Sequence, residues 1–125
     1  MNDKGNVGCL FHFDNVFAKG QMTFGGIDLY QIGEICCECG HIIGDHMQIC
    51  LELSYIVSGS GYFYVDNECF RVTEGDIIFN AVGHRHEIRA DASSLLRFVY
   101  LGFYFNEHAD EEFRDILAFF QSAPY

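Results

Sequence analysis

A chain of 125 residues, 50% apolar and carrying 13 Phe and 7 Tyr, can bury one core of useful size, so one domain is expected. Its 18 acidic and 7 basic residues give a formal net charge of −11, which repels a phosphate backbone and argues against nucleic-acid binding by this segment. No apolar run approaches the roughly 20 residues needed to cross a bilayer, and Met1-Asn2-Asp3-Lys4-Gly5 lacks the basic-then-apolar layout of an export signal, so a cytoplasmic protein with no membrane partner is expected.

The glycine-rich stretch 1–26, with Phe11 and Phe13, shows no clean period and reads as an arm that then joins a sheet. Short runs rich in Tyr, Ile, Val and Phe follow at 29–32, 48–57, 61–65, 69–72, 76–79, 86–89 and 95–105, each bounded by Gly, Asp or Asn. Strands this closely spaced argue for an antiparallel sandwich or barrel. Asp66-Asn67 reads as a tight hairpin, because both residues tolerate positive φ, and Thr73-Glu74-Gly75-Asp76 is the next turn. At the end the character changes. Asn106 can cap a helix with an acidic first turn, and Phe113, Ile116, Leu117 and Phe120 recur at helical spacing as one apolar stripe, so a helix is expected over 107–125.

Six cysteines raise the question of cross-links or metal. A reducing cytosol keeps them as thiols. Cys36-Cys37-Glu38-Cys39-Gly40-His41 contains one C-x-x-C with a histidine two residues on, whereas a structural zinc site wants two such pairs, and Cys9, Cys50 and Cys69 stand singly. Ordinary thiols are expected.

Strand side chains alternate between faces, so His46, Gln48, Cys50, Glu52, Ser54 and Ser58 share one face if pairing continues unbroken, and Met47, Ile49, Leu51, Leu53, Tyr55 and Val57 share the other. Taken alone, this pattern sends the apolar row to the core and the polar row to water. The alternative is an enclosed polar chamber.

Two signatures favour the chamber. One is His46-x-Gln48, then Glu52, then Gly59 and Gly61; the other is Gly75-Asp76-Ile77-Ile78-Phe79-Asn80-Ala81-Val82-Gly83-His84-Arg85-His86. In this order, about one hairpin apart, they resemble the two halves of a cupin barrel. With "LSYIVSGSGYFYVDNECFRVTEGDIIFNAVGHRHEIRAD" and "LRFVYLGFYFN" around them, the stretch 29–106 resembles the effector-sensing half of an AraC-type transcriptional regulator.

That resemblance implies an all-β cupin double-stranded β-helix, a jelly-roll barrel, with a C-terminal α-helix: an arm at 1–26, the barrel at 27–106, and a helix at 107–125 leading to a DNA-binding domain absent from this chain. It implies a bacterial regulator that is not an enzyme. The partners would be a small-molecule effector such as a sugar, a second copy in a homodimer, and DNA only through the absent domain. By the same resemblance His46, Gln48, Glu52 and His86 fall where cupins hold a divalent metal, and zinc, nickel, manganese or iron would suit such donors. Gln48 stands where a second histidine is usual and Ala81 where a proline is usual; His84, two residues before His86, is a substitute donor. Ser58, Tyr62, Tyr64, His86, Ile88 and Tyr100 would line the effector's side of the lumen. Arg71, Arg85, Arg89 and Arg97 either pair internally with carboxylates or receive an acidic effector. The competing reading is a metal-dependent cupin enzyme, a dioxygenase, isomerase or sugar-modifying protein using His46, Glu52 and His86.

Overall fold

The computed structural model describes residues 9–47, 49–111, 114, 115 and 118, with the backbone alone at 45–47. Its strands are β1 (Cys9–Val16), β2 (Thr23–Phe24), β3 (Ile27–Cys37), β4 (Ile42–Met47), β5 (Leu51–Val65), β6 (Glu68–Thr73), β7 (Ile77–Asn80), β8 (Arg85–Ala90) and β9 (Leu96–Phe105). Every pairing is antiparallel, along the path β1-β3-β9-β5-β8-β4, with β2 beside β3 and β6 and β7 beside β5. The expected turns are present: Asp66 adopts φ 53° in the two-residue link between β5 and β6, and Gly75 adopts φ 92° before β7. The stretch before residue 27 does join the sheet, through β1 and β2 against β3.

β5 organises the curl. Its residues 51–59 pair with β7 and β9, whereas 60–65 pair with β6 and β8, so one strand serves both layers. At the crossing β5 carries one extra residue: Ile56 faces Phe98 and Ser58 faces Arg97, leaving Val57 as a bulge. Gly59 follows at φ 83°, where a Cβ would lie 1.7 Å from the Leu95 carbonyl oxygen. Only glycine fits there.

The bulge exchanges the faces of the strand. Before it the even positions Cys50, Ser54 and Ile56 are buried, with Leu53 and Tyr55 exposed; after it the odd positions Gly61, Phe63 and Val65 are buried. Ile56, Phe63, Val72, Ile78, Ile88, Leu96 and Phe98, from five strands of both layers, form the main core. A second cluster of Leu51, Phe79, Ala81 and Phe103, with Ile27, Leu101 and Phe105 against it, covers part of the opposite face of the β3-β9-β5 layer.

The helix expected over 107–125 lies largely outside the described residues. Its expected first turn is not helical: residues 107–110 form a turn and irregular chain, in which Asn106 Oδ1 accepts the His108 N–H at 2.8 Å, while the Asn106 amide donates to Gly25 O and to Asp28 Oδ1, both at 3.0 Å. Among the described residues no helix is long and apolar enough to cross a membrane.

Candidate functional site

A cavity of about 300 Å³ is lined by His12 of β1, Gln31 and Ile35 of β3, Ile43 of β4, Ile49 and Cys50 just before β5, Glu52 of β5, His86 and Ile88 of β8, and Phe98 and Tyr100 of β9. Two larger depressions, about 430 Å³ at the β5–β6 tip and about 740 Å³ around Phe17, Tyr30 and Tyr104, are lined by half-buried and exposed residues alone. The smaller cavity is walled by buried Ile35, Cys50, His86, Ile88, Phe98 and Tyr100, with the remaining lining half-buried and Ile49 exposed at its edge; a few polar groups converge there on apolar walls, the usual composition of a small-molecule site.

Its polar wall depends on a missing side chain. Gly33 lies in register between Asp14 of β1 and Tyr100 of β9. A Cβ at Gly33 would sit 2.3 Å from the Tyr100 ring, so the bare backbone lets the phenol lie across β3 and reach β1. There Tyr100 donates its hydroxyl proton to Asp14 Oδ1 at 2.9 Å and meets His12 Nε2 at 2.8 Å. A hydroxyl has one proton, so this arrangement requires His12 Nε2 to be a donor. Gln31 donates to the same Asp14 oxygen at 2.7 Å. Burial first, then the Asp14 carboxylate and the charge of Glu52, push the Tyr100 phenol well above its ordinary value and keep it neutral.

From the opposite layer comes His86, only 2% exposed, and from β5, beside β9 in the layer of Tyr100, comes Glu52, whose Oε1 accepts the Ser54 hydroxyl at 3.4 Å. Beside Glu52, in register across β5 and β7, Asn80 is buried with neither amide atom hydrogen-bonded among the described residues. Orphaned buried polar atoms are costly and uncommon.

The AraC-like ligand binding domain profile matches residues 29–124. The chain belongs to that family. In fold the AraC-type domain is similar to a cupin superfamily protein from Desulfitobacterium hafniense DCB-2, at 12% identity, covering 74% of this chain and 77% of that one with a TM-score of 0.57. It is also similar to an RmlC-like cupin with a double-stranded β-helix fold from Methanocaldococcus jannaschii (17% identity, 65% and 72% covered, TM-score 0.56). A third likeness is to a predicted oxalate decarboxylase from Thermotoga maritima (21% identity, 62% and 68% covered, TM-score 0.56). These likenesses establish the cupin jelly-roll fold. No curated protein matches the sequence.

Of the residues that the sequence assigns to the site, His86, Ile88, Tyr100 and Glu52 come together in the cavity of the AraC-type domain. Gln48 lies outside the described residues, and for His46 the backbone is described, in register with His86. The single unbroken face expected from His46 to Ser58 is corrected: β4 ends at Met47 and pairs with β8, and β5 begins at Leu51, so His46 and Glu52 belong to different strands and layers. Tyr62 and Tyr64 do not line the lumen. The Val57 bulge turns them outward, where Arg71 lies 5.4 Å from the Tyr62 ring centroid and Arg89 4.6 Å from that of Tyr64, while Phe63 and Val65 point in. Ser58, just past the bulge, is half-buried and outside the lining. His84 is outside the lining: its Nδ1 lies 2.8 Å from Asp66 Oδ2 at the hairpin tip. Arg71 pairs with Asp91, Arg89 with Glu87 and Arg97 with Glu34, all away from the cavity.

His12, Asp14 and Gln31 escaped the sequence reading. A signal was present: Phe11-His12-Phe13-Asp14 alternates aromatic and polar residues with the period of a strand, and places His12 and Asp14 on one face.

Proposed function

We propose that this domain senses a small hydroxyl-bearing effector, a sugar or a molecule of like chemistry, within the barrel, as the regulatory half of a bacterial AraC-type transcriptional regulator. The observation that carries this reading is the Tyr100–Asp14–His12 network, which lets one cavity side chain hold the edge strand β1. A guest hydroxyl can donate to the Glu52 carboxylate or to the second ring nitrogen of His12, and Phe98 and the Tyr100 ring offer aromatic faces to its apolar side. An effector that binds better with β1 in one arrangement shifts the population toward it, and that shift is the signal passed to a DNA-binding domain. A thermal-shift screen of sugars and small acids tests the reading. A ligand at about 100 times its Kd should add roughly 2.7 kcal/mol, and Tyr100→Phe should abolish most of that gain. A stabilising ligand indifferent to Tyr100→Phe and to His12→Ala contradicts it.

Homodimerisation is part of the same proposal. Register sets Ile32, Leu101 and Leu53 in one row and Val99, Tyr55 and Ile77 in the next across the outer face of β3-β9-β5-β7. Leu53 is 37% exposed, Tyr55 44% and Ile77 58%, an apolar ladder of the kind that a second copy would cover.

The cupin enzyme remains the second reading, favoured by Glu52 and His86 sharing the cavity and by the register of His46 opposite His86. The fold implies a divalent metal there. Glu52 and His86 supply one carboxylate and one imidazole, whereas a mononuclear site of this kind takes at least three protein donors. Among the described residues these side chains do not complete the centre. Elemental analysis of untagged protein and of its His86→Ala variant decides: near-stoichiometric metal lost in the variant supports the enzyme.

A further inference from the structure

At the far end of β1 a second cluster forms from two separate stretches of chain, the start of β1 and the segment from the end of β3 into the next turn. Cys9 lies directly opposite Cys37 in the β1–β3 register. His41 sits in the turn before β4, which is held from both sides: Gly40 N–H donates to Asp91 O at 2.7 Å, His41 N–H to Glu38 O at 3.1 Å and Ala90 N–H to His41 O at 2.9 Å. That turn brings His41 Nε2 to 3.6 Å from Cys9 Sγ, and the three donor atoms of Cys9, Cys37 and His41 all lie within 4.8 Å of one another. None of the three lines the barrel cavity.

We propose that Cys9, Cys37 and His41 form a site for a thiophilic divalent cation, zinc above all, that fastens the start of β1 to the end of β3 and to the turn before β4. The chemistry of the donors selects the ion: two sulfurs and one imidazole suit zinc and disfavour magnesium or calcium, which take oxygen. The spacing suits it as well. Zinc–sulfur bonds of about 2.3 Å and zinc–nitrogen bonds of about 2.0 Å at tetrahedral angles set neighbouring donors roughly 3.5–3.8 Å apart; the Cys9–His41 pair at 3.6 Å is already there, and the other pairs, within 4.8 Å, need to close by at most about 1 Å. Three protein ligands leave the fourth position to water. Burial holds both thiols in their protonated form, so binding breaks two S–H bonds, forms two zinc–sulfur bonds and releases two protons to solvent.

The cation would act on more than the local fold. β1 also carries His12 and Asp14, the partners of Tyr100, so a tie at Cys9 fixes the strand that forms one wall of the cavity. The effector site and the cation site would then share one strand, and occupancy of the second would decide how firmly the first is built.

The test uses the full chain, reduced and metal-free under anaerobic conditions, titrated with Co(II) and then with Zn(II). We expect one cobalt per chain with thiolate-to-cobalt charge-transfer absorption and the visible bands of tetrahedral cobalt, both erased by zinc. Cys9→Ser should remove about half of the charge-transfer intensity, since one of two thiolates is gone. His41→Gln, in a turn rather than in the core, should keep both thiolates yet weaken cobalt affinity at least about tenfold. The bands should persist in His86→Ala, which separates this site from any metal in the barrel. Absence of charge-transfer absorption overturns the proposal, as does a band untouched by both Cys9→Ser and His41→Gln, which would assign the cobalt to other cysteines.

Discussion

The phenol of Tyr100 reaches β1 because residue 33 has no side chain, and that single close approach carries two consequences. Gly33→Ala would place a methyl group 2.3 Å from the ring and 2.6 Å from the Phe13 carbonyl oxygen. Such overpacking costs about 1–3 kcal/mol, a loss that urea denaturation should record and that should shrink when Tyr100 is also reduced to Ser. The second consequence is alkaline. Burial and then Asp14 raise the folded Tyr100 pKa above the ordinary 10.0, so its contribution to stability is complete below that pH. Above it the unfolded chain releases the proton while the folded chain keeps it, and stability falls as pH rises. Unfolding followed from pH 9 to about 11 should therefore show a decline that Tyr100→Phe flattens. Equal slopes for the two proteins would remove Tyr100 from the account.

At the scale of elements, β5 shows what a single inserted residue does. Because strand side chains have a period of two, one bulge exchanges every later position between core and surface. Phe63 is fully buried and Tyr62 lies under Arg71, whose Nη1 also donates to its hydroxyl at 3.0 Å. Phe63→Ala should cost about 3–5 kcal/mol, whereas Tyr62→Ala should cost about 1 kcal/mol or less, the worth of an exposed cation–π contact; chemical denaturation measures both. A larger loss at Tyr62 than at Phe63 would mean that the faces are not exchanged.

The same bulge marks where the sequence stops being legible. Aromatic and β-branched runs punctuated by Asp66-Asn67 and Gly75 announce β5 to β9, because local turn chemistry and strand period are both written in contiguous residues. β4 is harder to see, since Gly44-Asp45 interrupts its apolar run, and in β1 the alternation is confined to Phe11-His12-Phe13-Asp14, within a glycine-rich stretch that hides it. Glu52, His86, Ile88 and Tyr100 were found through a resemblance that spans both signatures. His12, Asp14 and the Cys9–Cys37–His41 cluster depend on the pairing of β1 with β3, a non-local contact that no spacing within either strand encodes.

At the scale of the whole molecule, the domain combines an acidic surface with an apolar ladder. A net charge of −11 disfavours contact between this domain and DNA, and favours the ladder over charged patches as the meeting face of two copies. Leu53→Asp, on the half-exposed side of β5, should leave the fold intact and convert a dimer to monomers in sedimentation-velocity runs. A wild-type domain that sediments as a monomer at all concentrations would remove the dimer from the account.

The central claim is that the space between β1, β5, β8 and β9 receives a guest. Backbone amide and side-chain NMR shifts of labelled protein, followed while sugars and small acids are added, address it directly. A saturable ligand should move His12, Gln31, Glu52, His86 and Tyr100 together, with little change around Tyr64, Asp66 and Arg85 at the hairpin tip. Saturable shifts confined to that tip or to the Tyr30–Tyr104 surface, with the cavity residues unmoved, would contradict the account.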